Sequence, residues 1–167
     1  MSIGQWQNFF VMVGGGAAAL AGLVFIAMSI NLSIITRDAT HKNRAIATLT
    51  GFTAIFIICG LALIGNQNYQ SIGIEWLVVT LVPMITYIRV YVRAKKIGRS
   101  PVGLSIGRFF MGTTCYLAQI IGSVLLISGY VAGLYVASAA MVLSFAFFIS
   151  AAWLLIVGVY VNQGKQQ

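Results

Sequence analysis

The chain has 167 residues, 60% of them hydrophobic and only 7% charged, with a mean hydropathy of +0.97. A soluble domain of that size could not cover its surface with so few polar groups, so the bilayer is the solvent that composition leaves. The net charge of +8 and pI near 9.9 arise from short basic clusters flanking apolar runs, which fits anionic lipid headgroups and argues against nucleic acid as a partner.

Five apolar stretches follow one another, near residues 8–36, 45–65, 72–92, 104–128 and 134–161. Each reaches the roughly 20 residues that a helix needs to cross about 30 Å of hydrocarbon. They predict an all-α integral membrane bundle of five transmembrane helices, a single domain over residues 1–167 with no soluble part.

The first stretch has no positive charge before it and is far longer than the apolar core of a signal peptide, so it is expected to persist as a span. Gly14, Ala18 and Gly22 recur at four-residue spacing along it, and small residues in such a row let two backbones approach closely where lipid supplies no hydrophobic drive. Ser29 and Ser33 continue a second small strip, and Asn31 is a candidate interhelical hydrogen-bonding group. Asp38 and Thr40 offer N-caps for the second helix, Asp38 also favoured by the helix dipole.

A polar, uncharged linker, Asn66 to Ser71, leads to the third stretch. Glu75 stands at its outer start, either as an acid favoured by the helix dipole or, in an oligomer, as one member of a carboxylate ring at a cation-attracting mouth. Pro83, between Thr80 and Thr86, removes one backbone donor and frees the carbonyl of Val79, so it predicts a kink and a candidate hinge. The Thr hydroxyls or a water are expected to satisfy the opened backbone. Arg89, Arg93 and Lys96 form a helical stripe that, with Lys95, Arg99 and Arg108, is expected to reach anionic headgroups.

Ser100 before Pro101 predicts an N-cap and first helical position for helix four, ahead of the membrane, leaving Arg108 at the interface. Gly112, Tyr116, Gln119 and Ser123 then recur at intervals of four, three and four, a small and polar face on an otherwise apolar helix. Ser128 to Gly133 is a tight turn that predicts an antiparallel hairpin, with Gly129, Gly133 and Ala137 extending the small-residue theme. These faces either pack the helices of one protomer or form a subunit interface or pore lining.

All ten Lys and Arg residues fall in the first and third inter-span loops, their flanks and the C-terminal tail. The positive-inside rule therefore predicts cytoplasmic placement for those loops and the C-terminus, with Met1 outside. Interfacial aromatic belts are expected from Trp6, Tyr69, Trp76, Tyr130 and Tyr135 on the outer side and from Tyr87, Tyr91 and Tyr160 on the inner. Trp153 is expected deeper, with its indole N–H bonded inside the bundle.

Chemistry is bounded mainly by elimination. His41 is the sole histidine and sits in a loop, no Lys occupies the centre of a span, and Cys59 and Cys115 stand alone in different helices as simple packing residues. There is no phosphate loop, no metalloprotease motif and no chain of acids for proton coupling. Neither an enzyme nor a cofactor or metal site is expected. A chain almost wholly inside the membrane has little surface for anything but conduction or lateral packing, so the expected function is a homo-oligomeric channel for ions or small solutes, with Gly112, Tyr116, Gln119 and Ser123 lining the pathway; the alternative is a non-conducting accessory or assembly subunit of a larger membrane complex.

The segment from Gly14 to Leu32, a Gly/Ala run followed by Leu23-Val24-Phe25-Ile26-Ala27-Met28-Ser29-Ile30-Asn31-Leu32, resembles a loose group of small uncharacterised bacterial multi-pass membrane proteins. The resemblance covers mainly the first helix. It implies the bacterial inner membrane and carries no activity.

Overall fold

The computed structural model describes residues 3–30, 32, 39–65, 67–96 and 106–163. A short 3-10 turn, Ile3–Trp6, leads into five α-helices: α1 Gln7–Ile30, α2 Ala39–Ala62, α3 Tyr69–Lys96, α4 Ile106–Ile127 and α5 Ala132–Gln163. Each contains an apolar segment of 18 to 24 residues, long enough to cross a membrane, and no strand occurs among the described residues. The all-α bundle follows from this pattern, because a chain in hydrocarbon must satisfy its backbone within each helix.

Local chemistry sets the helix ends. At the α4–α5 turn, Gly129 adopts φ +82°, its N–H donates to the Leu126 carbonyl at 2.9 Å, and Tyr130 N–H donates to the Leu125 carbonyl at 2.9 Å. That is a Schellman cap, and glycine serves it because a β-carbon resists positive φ. The hairpin expected there is present. At the end of α2, Leu63 and Ile64 N–H groups reach back three residues to the Gly60 and Leu61 carbonyls, tightening the last turn.

Neighbours in sequence pack as neighbours in space: α1 on α2, α2 on α3, α3 on α4 and α4 on α5, with a further α2–α5 contact closing the bundle. Rings fill the centre. Phe52 of α2 meets Phe145 and Phe148 of α5 at centroid distances of 5.9 and 5.6 Å, and Phe10 of α1 meets Trp76 of α3 at 5.8 Å. Trp6 lies edge-on to Tyr135 at 4.9 Å, tying the start of the chain to the start of α5.

Several expectations about single residues are corrected. Trp76 is 0% exposed and donates its indole N–H to the Ile58 carbonyl at 3.2 Å, so it is a core residue and not part of an interfacial belt. Trp153, expected inside, is 67% exposed on the bundle surface. Depth along a helix had been read for both, whereas helical phase decides burial. Tyr87 is half-buried with its hydroxyl bonded to the Arg108 and Phe109 carbonyls. Helix α3 starts at Tyr69, so Tyr69, Gln70 and Ser71 belong to its first turn instead of a linker, and Glu75 lies beyond that turn. Thr40 falls inside α2, which begins at Ala39. Asp38, Asn31, Ser33, Arg99, Ser100 and Pro101 lie outside the described residues.

Candidate functional site

Gly112, Tyr116, Gln119 and Ser123 are all buried on one face of α4. That face looks into the protomer, against α3 and α5. A β-carbon on Gly112 would stand 2.5 Å from the Tyr87 hydroxyl oxygen and 3.1 Å from Phe147 Cζ. At the other end, a β-carbon on Gly73 of α3 would stand 2.8 Å from the Ser123 carbonyl oxygen. Ser123 donates its hydroxyl to the Gln119 carbonyl at 2.9 Å, which satisfies it within its own helix.

Gln119 differs from its neighbours on this face. It is 5% exposed, and its Nε2 is buried with no hydrogen-bond partner among the described residues. Four helices meet in front of it around a cavity of about 20 Å³. Ile55 and Ile58 of α2, Thr80 and Pro83 of α3, and Ser144 and Phe148 of α5 form its walls with Gln119. Residues reasoning from sequence had not singled out, Ser144 above all, thus complete a polar centre. Its signal was available, since Ser144 follows Ala137 and Met141 by seven and three residues on the face of α5 that packs inward.

Pro83 sits in this wall, inside an α3 that continues from Tyr69 to Lys96. The neighbouring hydroxyls do not serve the carbonyl it frees: Thr80 Oγ1 donates to the Trp76 carbonyl at 2.7 Å and Thr86 Oγ1 to the Val82 carbonyl at 3.0 Å. Glu75 is half-buried at the far end of α3 and accepts from Gln67 Nε2 through both carboxylate oxygens, at 3.0 and 3.2 Å. An amide therefore occupies the carboxylate.

The small-residue row of α1 divides. A β-carbon on Gly14 would meet Cys59 Cβ of α2 at 2.9 Å, so close approach is real there, whereas Ala18 and Gly22 are exposed and nothing lies within 4 Å of a β-carbon on Gly22. Geometry explains the split: four residues advance a helix by about 40° beyond a full turn, so by Gly22 the row has rotated about 80° away from Gly14. Phe10, Val13, Gly14, Ala17 and Val24 make the buried stripe instead, mixing three- and four-residue steps.

Of the basic residues, Arg89 is exposed on α3. Arg108 donates to Ser150 Oγ of α5 at 3.2 Å and lies 5.6 Å from the Phe147 ring centroid, a cation–π arrangement that fixes it across the α4–α5 interface. Arg93, Lys95 and Lys96 occupy the last turn of α3, where positive charge is favoured by the helix dipole.

Five helices of this length and composition make the chain a multi-pass membrane protein. No family model, no curated protein and no solved structure matches it.

Proposed function

We propose that this protein is a non-conducting accessory or assembly subunit that docks a partner helix laterally in the bilayer, through the outer face of α1 around Gly15, Ala18 and Gly22. The observation that carries this reading is the contrast among glycines. Gly51, Gly73, Gly112, Gly122 and Gly133 each face an atom closer than 3 Å to where a β-carbon would stand, but Gly15 and Gly22 of α1, like Gly60 of α2, have no described atom within 4 Å. A glycine inside a helix costs about 0.5–1 kcal/mol relative to alanine. Nothing among the described residues offsets that cost at Gly15 or Gly22, while a helix packed closely from outside would. Gly16, on another side of α1, is already covered by Phe145 of α5, so the open side is the one turned away from the bundle.

The same contrast weighs against a homo-oligomeric pore lined by α4. Its polar face is filled by Tyr87, Phe147, Gly73 and their neighbours within one protomer. A second reading, conduction through the protomer itself, keeps one observation in its favour: the central cavity with the unpaired Gln119 amide. In either reading the chain is not an enzyme, its site is the bacterial inner membrane, and its basic face meets anionic lipid.

The mass of the particle, purified in mild detergent from its native membrane, tests the docking reading. A complex of this chain with a second membrane polypeptide that is lost on Gly22→Leu, with bundle stability unchanged, is the expected result. A particle containing only copies of this chain redirects the face to self-association. A monomer unaffected by Gly22→Leu rejects it.

A further inference from the structure

We infer that the central cavity is a hydration site that holds one ordered water, accepting from Gln119 Nε2 and donating to the Thr80 hydroxyl on the α3 wall. The inference is independent of which functional reading holds.

Three observations converge on it. The first is size: a cavity needs on the order of 10–15 Å³ to hold a water, and this one has about 20 Å³. The second is an unmet donor, because Gln119 Nε2 is fully enclosed with no partner among the described residues. Enclosed amide donors are almost always satisfied, by protein or by water. The third is the acceptor supply opposite. The Thr80 hydroxyl lines the cavity and, already donating to the Trp76 carbonyl, keeps its lone pairs free to accept.

Charge selects a neutral ligand. Among the described residues no ionisable acid or base of the Asp, Glu, Lys, Arg or His type lines the cavity, so an ion there would lack a counter-charge in low dielectric. Water alone is small, neutral and able to donate and accept at once, and Ser144 supplies a further polar contact on the α5 side. The water joins α3, beside the Pro83 interruption, to the one amide of α4.

Radiolytic footprinting of the full chain in lipid nanodiscs tests the site, since a bound water split by X-rays oxidises the side chains beside it. Met141 lines the cavity and is 1% exposed, while Phe10 is equally buried away from it. Oxidation of Met141 without oxidation of Phe10 is expected in the wild type. It should be lost in Gln119→Leu, which removes the donor, and in Ala54→Val, which fills the cavity and leaves Gln119 in place. Two variants guard against one failing to fold, with helicity by circular dichroism as the check. An unoxidised Met141 in the wild type, or full oxidation in either folded variant, overturns the proposal.

Discussion

Gly122 of α4 and Gly133 of α5 meet backbone to backbone: a β-carbon on Gly133 would stand 2.5 Å from the Gly122 carbonyl oxygen, and one on Gly122 would stand 2.7 Å from the Ala137 amide nitrogen. Main chain cannot step aside as a side-chain tip can. Gly133→Ala and Gly122→Ala should therefore each destabilise the bundle by about 1–3 kcal/mol, the usual cost of overpacking. Gly22→Ala meets open space and should stabilise the bundle by about 0.5–1 kcal/mol, the difference in helix propensity between the two residues. Thermal or denaturant unfolding of the purified protein measures all three. Equal effects at Gly22 and Gly133 would remove the distinction drawn between packed and open glycines.

The two tryptophans whose positions reverse the belt expectation provide a second test. In single-tryptophan variants with the others changed to Phe, Trp153 should be quenched by lipids carrying a spin label or bromine on the acyl chain, because it is 67% exposed on the bundle surface. Trp76, 0% exposed between α2 and α3, should be protected. Comparable quenching of both would place Trp76 at the lipid surface. Trp76→Ala should also cost about 3–5 kcal/mol as a large core truncation.

The spans were legible because hydrocarbon imposes one rule on every residue of a segment, and that rule survives any error of one or two positions. Facing is a finer property. The α4 face from Gly112 to Ser123 was legible because steps of four, three and four track the helical phase, whereas the steps of four from Gly14 to Gly22 drift off it. What the α4 face touches could not be read at all: Tyr87 and Gly73 lie on another helix, and no local pattern announces a pairing across 25 or 50 residues of chain. The cavity is hidden for the same reason, being a gap among four helices with Ile58, Pro83, Gln119 and Ser144 each from a different one.

Orientation gives a third prediction. Helix α3 has 28 residues and so spans about 42 Å, which puts Gln67 and Lys95 at opposite ends of the membrane. Single cysteines at these positions should label from opposite sides, Gln67 from outside and Lys95 from the cytoplasm, as the distribution of Lys and Arg requires. Cys59 and Cys115 are buried, so their replacement by Ala for a clean background changes little of the surface. Labelling of both sites from one side rejects the topology, and reversed sidedness rejects the orientation alone.

Conduction gives the last and most discriminating prediction. The polar cavity in front of Gln119 is about 20 Å³, room for one water, and glycine contacts under 3 Å close the α4 face on both sides of it. A desolvated ion passing such a point would lose its hydration shell with only one amide and a few hydroxyls to replace it, whereas selective filters surround an ion with rings of carbonyls or charges. The purified wild-type protein in planar bilayers should therefore stay silent across ions, voltages and pH, and Gln119→Leu should be silent with it. Reproducible currents from the wild type would overturn the docking proposal in favour of a channel. The variant then locates the path: currents reduced by Gln119→Leu in a correctly folded bundle would put it through the central cavity, because the substitution removes the only side-chain amide there and dries the constriction. Currents unchanged by it would put the path outside the protomer core, between copies of the chain.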